Sequence, residues 1–400
     1  MHPFFQLFFM VTQTVLSINR KYCKSDTCRF IVPIAIAEQE SKAQLHFRQI
    51  AYLAGKVNRT IVLPNVSRSH LGACRKYPFD YYYDTTWLDK NRAKFNYITQ
   101  SDFLEWTSAR SRLESKPSGQ EITLEMNKQH RFPERTKNCL ASMFDFKHKM
   151  IRFELPDPVS RKRRHGINYS KILTNALSDK QTSPEVLHLY YDRRVGFIKD
   201  PAANKPLDFN QRWTEKAEAI AQQLGYYVAI HWRIERLEPL SHMMPCAEAL
   251  YSKVKKIQAL NPQVQVFLLT DYPHLLNTSG ATPESQSFPL SQLKQEHHDA
   301  FRYLYERLDI TVTTLAVPPH HELPDHWHVL QVSTNDTDPA ILGIVDKLVG
   351  MRAQWFLAGM PGECAKASSF TNRIISDRLL AYKKGARLEQ VVDTFSVMRK

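Results

Sequence analysis

The residues best suited to chemistry in this sequence follow short apolar runs. His231 and Arg233 come directly after YYVAI, and Asp271 comes after VFLLT. A third run, WFLAG, precedes a group of helix-opening residues: Ser368, Ser369, Phe370 and Thr371. An arginine can grip a phosphate through two parallel hydrogen bonds, and hydroxyls and amides at a helix N-terminus attract anions. These residue types favour a site for a nucleotide diphosphate.

A regular alternation of strand and helix patterns positions these residues. From residue 207 to 400 the predicted strands are YYVAIHW, VQVFLLTD, DITVTTL and QWFLAG, and helices are predicted near residues 207–225, 242–260, 298–308 and 339–349 and from about 369. This alternation is typical of a doubly wound, Rossmann-like α/β domain with a parallel sheet. Ligands of such sheets bind at the carboxyl ends of the strands, so we expect the residues above to lie together.

A second Rossmann-like domain is predicted over residues 29–206. The apolar run at residues 30–37 predicts a strand covered on both faces, residues 41–57 an amphipathic helix, and RTIVLP a second strand. This is a β-α-β unit with parallel pairing. The stretch from about residue 65 to 206 is less regular, with helical pieces predicted near residues 102–110 and 184–194.

Length and composition indicate a two-domain globular protein. The 400 residues exceed one average core, and 43% hydrophobic with 24% charged residues is an ordinary balance. The net charge of +14 is spread along the chain apart from the RKRR run at residues 161–164, which is interpreted as an exposed loop. No zinc-finger spacing or aromatic RNA-binding pattern occurs, so a nucleic-acid partner is not predicted.

Several features favour the secretory pathway. The apolar N-terminal run suggests a signal peptide or a membrane-anchoring signal within residues 1–28; the alternative is a helix or strand packed on the fold. Five glycosylation sequons begin at Asn58, Asn65, Asn168, Asn277 and Asn335. The six cysteines would then form disulfides, in a pairing that their spacing does not determine.

Three segments, YYVAIHWR, VFLLTD and ASSFTNRIISDR, together resemble the GDP-fucose protein O-fucosyltransferase family. The unit leading to NRTIVLP is similar to the family's N-terminal region. The resemblance implies a GT-B fold, with two Rossmann-like domains facing across a cleft. It implies an inverting, metal-independent enzyme of the endoplasmic reticulum or Golgi that uses GDP-fucose as donor substrate, needs no cofactor, and acts on a protein or glycan acceptor.

The resemblance also assigns roles to single residues. Arg233 would hold the β-phosphate and stabilise the departing GDP, and His231 would line the donor pocket. Asp346, in ILGIVDKLVG, would face the guanine. Phosphates and base would be held by a helix-opening element: Ser368, Ser369 and Phe370.

Glu38 lies in register with a glutamate that one branch of this family uses as catalytic base. Glu38 and Glu40 both follow the first strand, and the alternative is that both are ordinary acids at a helix start. The turn AEQESKAQ lacks the glycines frequent in the family, which keeps open an inactive glycan- or protein-binding protein of the same fold.

Metal binding is not predicted. The histidine-rich stretch PPHHELPDHWHVL at residues 318–330 contains no HExxH motif, and its proline would break a helix that aligns two ligands. A surface loop is expected there.

Overall fold

The computed structural model describes residues 14–125, 136–146, 149–154, 168–178, 184–192, 196–274, 288–315, 323–332 and 338–397. The chain divides into two compact units, Met1–Asp208 (domain 1) and Phe209–Lys400 (domain 2). The boundary predicted between residues 206 and 207 lies beside this division. Each unit is an α/β domain in which most strands pair in parallel, as predicted.

The described part of domain 1 contains a nine-stranded sheet with the main order β3-β4-β1-β9-β6-β7. Strand β2 joins β1, β5 joins β2, and β8 joins β6; only the pairings of β4 with β1 and β3 are antiparallel. The helices are α1 (Val15–Cys23), α2 (Glu40–Lys56), α3 (Thr86–Lys90), α4 (Gln100–Arg112), α5 (Tyr169–Leu177) and α6 (Pro201–Asn204). The strands are β1 (Phe30–Ile36), β2 (Thr60–Val62), β3 (Val66–Ser67), β4 (His70–Leu71), β5 (Tyr97–Ile98), β6 (Ser118–Glu125), β7 (Asp145–Phe146), β8 (Ile151–Glu154) and β9 (Val186–Asp192).

The predicted β-α-β unit is confirmed as β1, α2 and β2. Every residue of β1 is buried, as expected for a central strand between two parallel neighbours, β2 and β9. Polar side chains on α2 fasten the end of the domain: Gln49 accepts hydrogen bonds from the backbone of Phe197 and Ile198, and Gln44 from that of Leu207.

The irregular middle of the chain contains one wrong prediction. The helix expected near residues 102–110 is confirmed as α4, but the helix expected near residues 184–194 is wrong: the described residues 184–192 contain strand β9. All seven residues of β9 are buried, and the strand pairs with β1 on one side and β6 on the other. A short, mostly apolar segment such as VLHLYYD suits a central parallel strand as well as a buried helix, and pairing decides between them.

The described part of the predicted leader, residues 14–28, is packed on domain 1. Thr14 caps α1, Ile18 is buried, and Asn19 accepts a hydrogen bond of 3.0 Å from the indole of Trp106 in α4. A disulfide joins Cys23 to Cys28. Residues 1–13 lie outside the described part of the chain. Among the described helices, none combines the length and apolar character needed to span a bilayer.

Domain 2 contains a six-stranded sheet in its described part, parallel throughout, in the order β13-β12-β11-β10-β14-β15. Its helices are α7 (Gln211–Leu224), α8 (Met243–Leu260), α9 (Gln295–Tyr305), α10 (Ala340–Arg352) and α11 (Ser369–Lys383). Its strands are β10 (Tyr227–Trp232), β11 (Gln265–Thr270), β12 (Thr311–Thr314), β13 (His328–Gln331), β14 (Trp355–Gly359) and β15 (Asp393–Phe395). Each predicted strand and helix of this domain is confirmed within a few residues.

The six cysteines form three disulfides, each between neighbours in the sequence: Cys23–Cys28, Cys74–Cys139 and Cys246–Cys364. The last bridge ties α8 to the loop between β14 and α11. It therefore anchors the segment that leads into the predicted Ser-Ser-Phe element.

One buried arginine joins several backbone segments of domain 2. Arg378 of α11 is 0% exposed, and within the described part of the chain its side chain donates hydrogen bonds to backbone carbonyl groups alone. The acceptors are Gly350, Met351, Ala353, Gln354, Gln390 and Val391. Through the carbonyl groups of Gly350 and Met351, Arg378 joins α11 to the end of α10. It therefore holds in place two helices that both carry predicted site residues.

Candidate functional site

Neighbouring parallel strands bring the predicted residues of domain 2 to one edge of the sheet. Strand β10 lies between β11 and β14, with His231 in register with Leu269 and Ala358. The carboxyl end of β10 therefore meets the end of β11 and the loop that leads from β14 into α11. We call the following residues the strand-end cluster: His231, Arg233, Asp271, Phe370 and Thr371.

His231 is held between a ring and a hydroxyl. Its imidazole stacks on Phe370 with centroids 4.9 Å apart, and its Nδ1 lies 2.8 Å from the Thr371 hydroxyl. Burial lowers the pKa of His231 to about 3, and the positive charges of Arg233 and Lys347 act in the same direction. The ring is therefore neutral at physiological pH and offers one donor and one acceptor nitrogen.

The N-terminus of α11 is capped by its own serine. Ser368 is buried, and its hydroxyl accepts hydrogen bonds from the amides of Phe370 (3.2 Å) and Thr371 (3.4 Å). Ser369 is half-buried as the first residue of the helix. The predicted helix start is thus confirmed, and in this structure the Ser368 hydroxyl takes two of the amides that were expected to face an anion.

Arg233 belongs to a charged group that the sequence did not reveal. Its guanidinium pairs with the carboxylate of Glu235, which is only 2% exposed. Lys366 reaches the other oxygen of Glu235 at 3.2 Å. The loop is fixed by Asp271, whose carboxylate accepts from the amides of Ile234 (2.8 Å) and Glu235 (3.0 Å). Burial raises the pKa of Asp271 to about 6 despite these hydrogen bonds.

Asp346 sits on α10 and accepts a hydrogen bond from the hydroxyl of Thr313 in β12. Burial raises the pKa of this carboxyl to about 7. The next residue, Lys347, is 2% exposed, and its ammonium lies 5.0 Å from the ring centre of Phe370. Asp346 therefore lies on the same side of the domain as the strand-end cluster, with Lys347 as a link that sequence reasoning missed.

Glu38 lies in domain 1, just after β1. It adopts a left-handed φ of 76°, its carboxylate is 3.3 Å from the Lys42 ammonium, and its carbonyl oxygen lies 3.1 Å from Nδ1 of His70. A positive φ at a residue other than glycine is uncommon and often marks a functional position.

Glu40 has a different environment. It is 5% exposed and accepts hydrogen bonds from Gln44 (2.8 Å), Tyr83 (3.0 Å) and Ser41 (3.0 Å). It also opens α2, where the helix dipole favours a negative charge. Of the two glutamates, Glu40 has the contacts of a structural residue, whereas Glu38 precedes the helix.

Within the described residues, no group of three or more histidine, cysteine or acidic side chains is arranged to hold a metal ion. The histidine-rich stretch is described only from residue 323 onward. There, His328 begins β13 and lies 3.7 Å from Asp309.

Comparisons with known proteins bear on this geometry. The sequence matches the family model "GDP-fucose protein O-fucosyltransferase" over residues 43–302, which is more than half of the chain. A comparison with curated protein sequences found no match.

Among solved structures, POFUT1 in complex with GDP is similar with a TM-score of 0.50 and 12% identity, covering 92% of this chain and 98% of that one. POFUT1 in complex with GDP-fucose gives 0.49 and 12%, covering 93% and 98%. The fucosyltransferase NodZ from Bradyrhizobium gives 0.40 and 12%, covering 87% and 92%.

The predicted fold class is confirmed: the protein is built from two α/β domains of the GT-B type, the architecture it shares with POFUT1. The predicted resemblance is confirmed by the span of the family match. The chain therefore belongs to the GDP-fucose protein O-fucosyltransferase family, a family of glycosyltransferases.

Proposed function

We propose that this protein transfers fucose from GDP-fucose to a hydroxyl group of a protein acceptor, with inversion at the sugar C1 and without a metal ion. The acceptor hydroxyl loses its proton to a base while its oxygen bonds to C1. The bond between C1 and the β-phosphate oxygen breaks at the same time, and its electron pair leaves with GDP. Negative charge therefore grows on the diphosphate in the transition state.

The observation that carries the proposal is the strand-end cluster of domain 2. Arg233 supplies a fixed positive charge at the carboxyl end of β10, where parallel sheets bind nucleotides. A preorganised guanidinium stabilises the leaving diphosphate without reorganising water, which is the usual origin of large rate enhancements. In this proposal His231 and Phe370 line the donor pocket as a stacked pair, and Ser368 and Ser369 face the phosphates.

Asp346 would recognise the guanine base. In its ionised form the carboxylate accepts hydrogen bonds, and guanine presents N–H donors along one edge. The hydrogen bond from Thr313 leaves the carboxylate with further acceptor capacity. This assignment distinguishes a guanine nucleotide from a uracil nucleotide.

Glu38 would be the general base. Its half-buried carboxylate lies outside the helix and beside one lysine, Lys42, whereas Glu40 is occupied by three side-chain donors. A carboxylate held near an acceptor hydroxyl contributes typically 10²- to 10⁴-fold to such a transfer.

We also propose that the protein works in the endoplasmic reticulum or Golgi. All six cysteines are in disulfides, which persist in oxidising compartments. Two of the sequon asparagines, Asn58 and Asn168, are exposed.

A panel of nucleotides and sugar nucleotides tests the donor assignment. We expect GDP and GDP-fucose to raise the melting temperature, because a ligand that binds only the folded state stabilises it, whereas UDP-sugars leave it unchanged. Transfer is then measured by mass spectrometry on candidate protein acceptors, with free glycans as the comparison. Failure of GDP and GDP-fucose to bind would refute the proposal.

A second candidate is a binding protein of the same fold that no longer performs chemistry. It is favoured by the turn at residues 37–44, which contains no glycine and places the left-handed φ of 76° on Glu38. This candidate predicts GDP-fucose binding with neither transfer nor GDP release, so the same panel separates it from the enzyme.

A further inference from the structure

The carboxylate of Glu235 is surrounded by basic side chains. Glu235 is 2% exposed, and Arg233 approaches it through two nitrogens. Lys366 lies 3.2 Å from its Oε1, and Nε of Arg236 lies 3.8 Å from the same oxygen. Three cations therefore share one buried anion, and the group keeps a surplus of positive charge.

Hydrogen bonds fix the two backbone segments that carry this charged group. Asp271 holds the amides of Ile234 and Glu235, and the amide of Lys366 donates to the carbonyl of Arg233 at 3.2 Å. Arg233 and Lys366 are therefore carried by segments that are hydrogen-bonded directly to each other.

The loop that carries Lys366 is anchored as well. The Trp232 indole donates to the carbonyl of Cys364 at 2.8 Å, and Cys364 is bridged to Cys246. Gly359 allows the loop to fold back, because a Cβ there would lie 2.8 Å from the Cys364 carbonyl oxygen. Lys366 is thus presented by a constrained loop and not by a mobile one.

The three cations are more exposed to solvent than the carboxylate that they share. The side chains of Arg233, Lys366 and Arg236 are 22%, 38% and 62% exposed, whereas that of Glu235 is 3% exposed. The Glu235 carboxylate is buried among the three cations and neutralises one of them, and the Asp271 carboxylate, which also interacts with Arg233, neutralises at most one more. An incoming anion with more than one negative charge meets the cations first and fits the surplus.

We propose that Lys366 is a second diphosphate-binding cation beside Arg233, and that Glu235 is the positioning residue that holds both. The inference rests on the proposed function, since it takes the ligand to be a guanosine diphosphate. Lys366, in the loop between β14 and α11, thereby joins Arg233 among the side chains that bind the leaving diphosphate. Lys366 then acts on the phosphate at the reacting end of the donor, not on the base.

The test compares GDP with GMP by calorimetry on the full chain. In Lys366→Met we expect the affinity for GDP to fall about tenfold to a hundredfold, the value of one charged hydrogen bond, and that for GMP to change by less than about threefold. Lys366→Arg keeps the charge and should keep the preference for GDP. Lys253→Met is the matched control: it also removes a lysine from an ion pair, with Asp393, and should leave both affinities unchanged.

Glu235→Gln tests the positioning role. Loss of the carboxylate adds net positive charge but frees the guanidinium, so we expect GDP affinity to be kept or increased while kcat falls about tenfold. A purely structural carboxylate would instead lower the melting temperature and leave the kcat of the folded fraction unchanged.

The outcomes distinguish failure of the proposed function from failure of the inference about Lys366. If the wild type binds neither GDP nor GDP-fucose, the proposed function fails and this inference fails with it. If the wild type binds GDP and Lys366→Met keeps the wild-type ratio of GDP to GMP affinity, only the inference is overturned.

Discussion

Replacement of Arg233 by alanine gives the sharpest test of the proposed chemistry. The guanidinium is fixed by Glu235 before any ligand arrives, so its contribution to the transition state needs little reorganisation. Loss of one preorganised donor at a developing negative charge costs about 2.7–4 kcal/mol, which corresponds to roughly 10²- to 10³-fold in kcat. We expect a loss of that size in Arg233→Ala.

The same substitution should lower the free energy of unfolding only moderately. The contacts of Glu235 set an upper limit on this loss. Removing one partner from a fully buried ion pair costs about 3–5 kcal/mol because the other charge is left uncompensated. Here Lys366 remains 3.2 Å from Glu235, so the carboxylate keeps a partner. We expect a loss of about 2 kcal/mol, which lowers the melting temperature of a domain this size by about 4–8 °C.

Two measurements separate these effects. GDP release from GDP-fucose with acceptor present gives kcat, and scanning calorimetry gives the melting temperature. In the double variant Arg233→Ala/Glu235→Gln we expect the melting temperature to return toward that of the wild type while kcat stays low. Turnover of Arg233→Ala within fivefold of the wild type, or recovery of turnover in the double variant, would refute the reasoning.

Three further predictions follow from single residues. Because burial raises the pKa of Asp346 to about 7 and the carboxylate is the form that accepts from guanine, GDP should bind about tenfold more tightly at pH 8 than at pH 6, and Asp346→Asn should remove this dependence in titrations at both pH values. The same raised pKa makes the ligand-free protein lose stability as pH rises from about 4 through 7, since below that range the carboxyl is protonated in both the folded and the unfolded state. Glu38→Gln should lower kcat at least 10²-fold without changing the donor KM, whereas Glu40→Gln should lower the melting temperature instead; the reverse pattern in steady-state kinetics and calorimetry would exchange their roles. Arg378→Met should reduce the free energy of unfolding in urea by more than about 3 kcal/mol, because it removes the hydrogen-bond donors of several buried or partly buried carbonyl groups; a change below about 1 kcal/mol would contradict the account.

Much of the fold could be predicted because its signals are local. The apolar run of β1, the amphipathic pattern of α2 and the alternation in domain 2 each lie within one short window of sequence. Strand β9 shows the limit of such signals. Its run of buried residues fits a helix or a strand, and only its partners β1 and β6, distant in sequence, make it a strand.

The site was predictable where strand ends determine it. His231, Arg233 and Asp271 lie at the carboxyl ends of strands that pair in register, so their proximity is a consequence of parallel topology. Glu235 and Lys366 were not predictable as partners, because 131 residues separate them and only the folded loop after β14 brings them together. Their single-residue signals, an acid near an arginine and a lysine before two serines, are too common to be informative.

The disulfide pairing has a consequence for the order in which the bridges form during synthesis. Each cysteine is bridged to the next one along the chain, 23 with 28, 74 with 139 and 246 with 364. If the chain enters an oxidising compartment during synthesis, as proposed above, each bridge can close before the next unpaired cysteine arrives. The last two thiols then find only each other, so the loop that carries Lys366 is closed by the final covalent step and no mispaired bridge has to be undone.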